Sequence, residues 1–183
     1  MILDPFRHQH APSGAIALPL FAGRTTRIRA YTLVDADTPD EIRGTPWNLA
    51  PAGRGGYAVH SVYSNGYTTT LRMHRIVLDA PPEMDVDHKN RDSLDNRRAN
   101  LRLATASQNG HNSGIRSTNR TGFRGVHPTG KNRFSARIHV GGKRVDLGIF
   151  NTLEEAALAY NEAAMYHLGE FAFINPISVE SVA

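Results

Sequence analysis

Between residue 14 and about Leu78 the apolar positions come in short runs, such as RIRAYTLVD, GYAVHSVYS and GYTTTLRMHRIVL. β-Branched and aromatic residues are frequent in them, and Gly and Asn separate them, as in SNG at 64–66. This pattern predicts a small antiparallel sheet. DAPPE at 79–83 ends it, because proline cannot donate to a ladder. MDVDH then predicts a short strand, NRDSLDN a turn-rich loop and ANLRLAT a second strand. TASQNGHN predicts the start of a helix with Thr105 at its N-cap.

The last third of the chain is patterned more strongly. FRGVHPTG, RFSARIHV and KRVDLGIF are three strand candidates, and the Gly pair at 141–142 joins the second to the third as a tight hairpin. TLEEAALAYNEAAMYHLG predicts a helix, with Thr152 and Glu155 as a capping box and Gly169 as its stop. Leu153, Ala156, Ala157, Tyr160, Ala163, Ala164 and His167 recur at helical spacing, and the alanines among them suit close approach to a sheet. The fold class expected is α+β. A tail at 1–13 precedes a β-rich unit over 14–112. A polar linker, SGIRSTNRTG, follows at 113–122. A three-stranded sheet packed on one helix occupies 123–176, with a short tail at 177–183.

Net charge is +4, and its distribution matters more than its size. No Asp or Glu occurs from Ser113 to Val145, a stretch that carries Arg116, Arg120, Arg124, Lys131, Arg133, Arg137, Lys143 and Arg144. Such a field suits a polyanion. There is no cysteine, which excludes disulfides and thiolate metal sites and fits a reducing cytoplasm. No apolar run has membrane-spanning length, and the first residues lack the pattern of a secretion signal.

The run DVDHKNRDSLDNRRANLRLATASQNGHN, residues 85–112, belongs to neither a core strand nor a core helix. Cutting a phosphodiester needs a base for water and a cation to offset charge on the phosphate. A hard divalent ion takes oxygen ligands and keeps several waters. The run supplies Asp87 as a candidate ligand, His88 as a candidate base and Asn100 to hold it. It also supplies Asn109, on the short helix, as a second oxygen. His111 rivals Asn109, but two helical positions set them about 200° apart, so both cannot face one ion. Each residue alone also reads as polar loop or solvated helix.

The same run, with LRMHRIVLDAPP upstream, resembles the H-N-H endonuclease family in its phage and homing branch. The likeness rests on Asp-His, an Asn twelve residues after the His and another Asn nine further on. VDADT and TPWNL extend it weakly, from about Ile16 to Ser113. The resemblance implies a β-hairpin plus helix around one divalent ion, Mg2+ or Mn2+ (the ββα-metal fold). Asp87 and Asn109 would be its ligands, His88 the general base and Asn100 its orienting partner, with Arg102 near the scissile phosphate. No structural zinc is implied, since the cysteines that hold it in some members are missing here.

Residues 123–175 resemble the plant ethylene-response-factor DNA-binding domain, through RGV, LGIF, EEAALAYNEAA and the final IN. That likeness implies a three-stranded sheet laid in the DNA major groove and backed by a helix. Arg124, His127, Arg133, Arg137, His139 and Arg144 would face DNA, while Phe134, Ala136, Ile138 and Leu147 face the helix. His127, Arg137, His139 and Asp146 depart from the family's usual residues, so its base preference does not carry over. Arg116 and Arg120 would follow the backbone from the linker. The expectation is a cytoplasmic, metal-dependent endonuclease acting on double-stranded DNA in a bacterial or phage-infected cell. A monomer is preferred, and a DNA-binding protein that no longer cuts is the alternative.

Overall fold

The computed structural model describes residue 4 and residues 6–23, 25–52 and 55–177. Parts of both expected tails, residues 1–3, 5 and 178–183, lie outside the described residues. The architecture is mixed α+β, with three sheets and few helices. The chain folds as two units, Met1–Ala106 and Ser107–Ala183. The stretch 113–122 therefore belongs to the body of the second unit. Among the described residues no helix is long and apolar enough to cross a membrane.

In the first unit, β1 (Ala15–Phe21), β2 (Ile28–Asp35), β3 (Asn48–Ala52), β4 (Gly55–Ser64) and β5 (Tyr67–Arg72) form one sheet in the order β2-β1-β3-β4-β5. Pairing is antiparallel except between β1 and β3, which meet in parallel at Phe21 and Asn48. That contact corrects the expectation of a wholly antiparallel sheet. The short helix α1 (Asp40–Arg43) lies in the long connection from β2 to β3, which lets β3 return beside β1. The run MHRIV, expected to continue a strand, is instead the helix α2 (Met73–Val77). Burial decides this: the turn buries Met73 and His74 beneath the sheet, where a strand would leave one of them outside.

Leu18, Leu20, Ala30, Val34, Trp47, Ala58, Met73 and Leu94 make the core of this unit. Trp47 is 2% exposed, and its indole N–H donates to the Ile42 carbonyl at 2.8 Å, so its polar edge is satisfied. A two-stranded ladder, β6 (Asp85–His88) with β7 (Leu101–Ala104), completes the unit. The expected loose tail carries contacts that its sequence does not signal. Arg7 ion-pairs with Asp92, and His8 Nε2 lies 2.8 Å from the same carboxylate. Burial alone would raise the Asp92 carboxyl, but the His8, Arg7 and Leu94 N–H bonds outweigh it and hold it below the usual range.

The second unit begins within α3 (Ala106–Asn112), at Ser107. It continues into the sheet β10-β9-β8, built from β8 (Val126–Gly130), β9 (Arg133–Val140) and β10 (Lys143–Phe150). The helix α4 (Leu153–Leu168) packs on that sheet. Its capping box forms as the sequence predicts: Thr152 Oγ1 accepts from the Glu155 N–H at 3.1 Å, and Glu155 Oε2 accepts from the Thr152 N–H at 3.3 Å. Ala156, Ala157, Tyr160 and Ala164 are buried against Val126, Ala136 and Ile138. His167 is exposed, and Leu168 packs on the core in its place. Gly125 enters β8 with φ +76°, and a Cβ there would sit 2.1 Å from the Tyr160 ring, so only glycine lets the strand approach the helix so closely. Asn175, 2% exposed, accepts from the Arg124 N–H at 2.7 Å and donates to the Arg124 carbonyl at 3.1 Å. This pins the C-terminal segment to the entry of β8.

Candidate active site

The run 85–104 folds as strand, loop and strand because its two apolar-flanked ends pair while its middle docks elsewhere. Asp87 stands opposite Arg102 and His88 opposite Leu101. The loop between them lies on β2. Leu33 N–H donates to the Leu94 carbonyl, and Asn96 N–H to the Leu33 carbonyl, both at 2.8 Å. That docking buries Asp95 and Asn96, at 2% and 0% exposed.

Strand alternation sends the two adjacent residues to opposite sides. Asp87, 4% exposed, takes two bonds on Oδ2 from the Arg102 guanidinium, at 2.8 Å from Nε and 2.6 Å from the terminal nitrogen. The family resemblance sets Arg102 near a substrate phosphate; here it is mostly buried and pairs with Asp87. His88, 7% exposed, faces the sheet, where its ring meets His74 edge-on at 5.3 Å and lies 6.4 Å from Tyr57.

A chain of hydrogen bonds fixes the His88 tautomer. The Thr32 hydroxyl donates to the Leu94 carbonyl at 2.7 Å. Its oxygen accepts from Asn96 Nδ2 at 2.7 Å, which turns Asn96 Oδ1 toward His88. Oδ1 can only accept, so His88 Nε2, 3.2 Å away, carries the proton. Nδ1 is then the basic nitrogen. Burial pushes His88 below the ordinary histidine value, against the opposing pull of Asn96 and of Asp87, Asp92 and Asp95. The ring is thus neutral at neutral pH, as a proton acceptor must be.

Asn100 does not have the expected role. Its Oδ1 accepts from the Asn90 N–H at 3.0 Å, and its Nδ2 donates to the Asp95 carbonyl at 2.8 Å. It closes the loop across its mouth, and Asn96 orients His88. The sequence signal for Asn96 is slight, since NRDSLDN reads only as turn.

His74 is pushed down to about 3, by burial first and then by His88, Arg72 and Arg75. A histidine with a depressed folded-state value destabilises the fold wherever the unfolded chain binds the proton and the folded one does not. Stability is therefore lost as pH falls below about 6.5, and the loss continues toward pH 3. His88 acts in the same sense. Urea unfolding should show stability rising between roughly pH 4.5 and 6 by about 1.4 kcal/mol per pH unit from His74, with His88 adding in the same direction. Equal stability across that window would contradict the buried, neutral pair.

In the second unit, strand register places His127, Arg133, Arg137, His139 and Arg144 on the sheet face away from α4. Phe134, Ala136 and Ile138 point to the helix, with Leu147 packed beside them at a bulge. Asp146 lies among the outward cations, 3.2 Å from Arg137 Nε and 3.1 Å from Arg144. A cleft of about 620 Å³ is lined by Arg116, Arg120, His127, Arg137 and His139, among others. Arg124 departs from its expected position on that outward face. Its guanidinium donates to the carbonyls of Gly110 at 3.1 Å, His111 at 2.9 Å and Ser113 at 2.5 Å. It satisfies the C-terminal end of α3, where a cation also suits the helix dipole. Asn109 lies on α3, in this second unit.

Residues 79–111 match the HNH endonuclease family model. The chain is also similar to an uncharacterized HNH endonuclease of Acanthamoeba polyphaga mimivirus. The two are 32% identical over 153 residues, which cover 80% of this chain and 75% of the viral protein. The Asp-His pair on β6, the closed loop and the return strand β7 all lie inside the matched residues, and the chain belongs to the HNH endonuclease family, as a nuclease that hydrolyses phosphodiester bonds.

Proposed function

We propose that the protein is a metal-dependent DNA endonuclease of the homing or phage type, in which residues 14–112 cut and residues 123–176 hold the duplex. The observation that carries the cutting half is the fixed tautomer of His88, with Nδ1 the basic nitrogen of a neutral ring. In this reading His88 Nδ1 takes a proton from water. The water oxygen attacks phosphorus, the bond to one bridging oxygen breaks, and the leaving oxygen takes a proton from solvent water. Asn96 holds the ring, and Asn100 keeps the loop closed around it. Arg102 supplies positive charge beside Asp87.

The donor chemistry fits magnesium or manganese. Among the described residues there is no group of three or more His, Cys, Asp or Glu that could hold an ion. Asp87 is a buried carboxylate whose charge is balanced by Arg102, and Asn109 enters as a second hard oxygen from the family resemblance. One carboxylate, one amide oxygen and several waters suit a small divalent cation. Bound there, it would offset the charge that grows on the phosphate and leaving oxygen. By the family resemblance, β6 and β7 would be the two strands of the ββα-metal core.

For the second unit, the outward face of the three-stranded sheet supports a major-groove reading of the ethylene-response-factor kind. Arg133, Arg137, His139, His127 and Arg144 would meet DNA there, with Arg116 and Arg120 along the backbone. The test is cleavage of supercoiled plasmid with magnesium and with chelator, beside gel shifts across a salt series. Cutting should require the ion. The Arg133→Ala/Arg144→Ala variant should lower the slope of log affinity against log salt by about two, one for each phosphate that the arginines no longer neutralise. Cutting in chelator would overturn the metal assignment, and an unchanged slope would overturn this face as the DNA surface.

A further inference from the structure

The hairpin β4–β5 does more than close the first sheet. Its outer half, Ser61–Ser64 with Tyr67–Thr70, is exposed on every residue, so it projects as a two-stranded ribbon. Asn65 and Gly66, at φ 51° and 83°, form the tight turn that ends it. Tyr63 and Tyr67, 75% and 79% exposed, flank the tip. Register puts them on opposite faces: Tyr63 stands with Thr68, and Tyr67 with Ser64.

We infer that this ribbon is a second DNA-contacting element, lying in the groove of the duplex beside the bond to be cut. The inference rests on the reading of the chain as a DNA-cutting enzyme. Three observations point to duplex DNA as the occupant. The first is two-sidedness: both faces carry a tyrosine and hydroxyl side chains, as suits a ribbon between two groove walls. A protein partner would select one apolar face. The major groove, about 12 Å wide, admits a two-stranded ribbon. The second is charge. No Asp or Glu occurs from residue 42 to residue 78, while Arg43, Arg54, Arg72 and Arg75 do, so nothing on the ribbon repels phosphates. The third is position. β5 ends at Arg72 and runs directly into α2, whose His74 ring stands 5.3 Å from that of His88. From Arg72 the strand extends on the order of 17 Å to Tyr67, about half a turn of B-DNA. A clamp built this way holds the duplex in register with the base.

The test uses the full-length protein. Tyr63→Ser/Tyr67→Ser should raise KM for supercoiled plasmid by about tenfold, the loss of one interface anchor, with kcat changed far less. Its melting temperature should match that of the native chain, because neither side chain is packed. Independently of cutting, a photo-crosslinking amino acid at position 67 in the His88→Ala protein should label plasmid DNA on irradiation, and one at exposed Glu41 should not. Should the native protein cut nothing, labelling at 67 would still support the ribbon and the fault would lie with the cutting reading. An unchanged KM, labelling of a second copy of the chain, or equal labelling from both positions would overturn the inference.

Discussion

His88→Ala should lower plasmid cleavage by about 10²- to 10⁴-fold while leaving DNA binding nearly unchanged. The size follows from the role. Nδ1 is the one ring nitrogen that can accept a proton once Nε2 donates to Asn96, and alanine offers no acceptor at all. The side chain is buried, so its removal leaves a small cavity, yet His74 and Tyr57 still line the space and the ladder bonds of β6 are backbone. The acid limb of kcat/KM in the native protein carries a second signature. Burial holds His88 below the usual histidine value of 6.5, so neutral ring persists as pH drops past that point. Activity should therefore fall only at lower pH than an exposed imidazole would give. A half-maximal point at or above about 6.5 would remove His88 as the base in its buried form.

What can be read from the residues follows how local each signal is. Thr152 and Glu155 act within one turn, and the α4 cap matches. The paired glycines 141 and 142 set a hairpin by their own backbone freedom, and β9 and β10 pair across them. Two-residue alternation sorts β9 into outward cations and inward apolar residues without knowledge of the rest. Arg124 and Asn96 escape such reading because their partners are remote. Arg124 looks like one more cation in an anion-free stretch, and only the fold brings the end of α3 within reach of its guanidinium. Asn96 bonds to Thr32, which lies 64 residues away, and that bond requires the loop to dock on β2 first. The helix at MHRIV is hidden for a related reason. Its β-branched residues favour a strand, but burying Met73 and His74 together outweighs that weak propensity.

Asn96 is where the structure departs most usefully from the sequence pattern, and two substitutions separate its roles. Asn96→Ala leaves the His88 Nε2–H and the Thr32 hydroxyl oxygen each without the amide that meets it in a buried place. Each such loss costs about 1–3 kcal/mol, so urea unfolding should show the variant destabilised by roughly 2–6 kcal/mol in sum. With its ring no longer anchored, His88 can adopt the wrong tautomer, and kcat should fall by about 10- to 100-fold, the usual size of such outer-shell losses. Destabilisation alone would not prove positioning, because any buried amide gives it. Asn96→Asp supplies the discriminating readout. The carboxylate still accepts from Nε2–H, but its charge favours the imidazolium and raises the His88 value. The acid limb of kcat/KM should then move to higher pH by on the order of one unit, so that activity at pH 6 drops while activity at pH 8 is largely kept. If the limb stays where the native protein has it, Asn96 is a structural amide only, and another contact sets the protonation of His88.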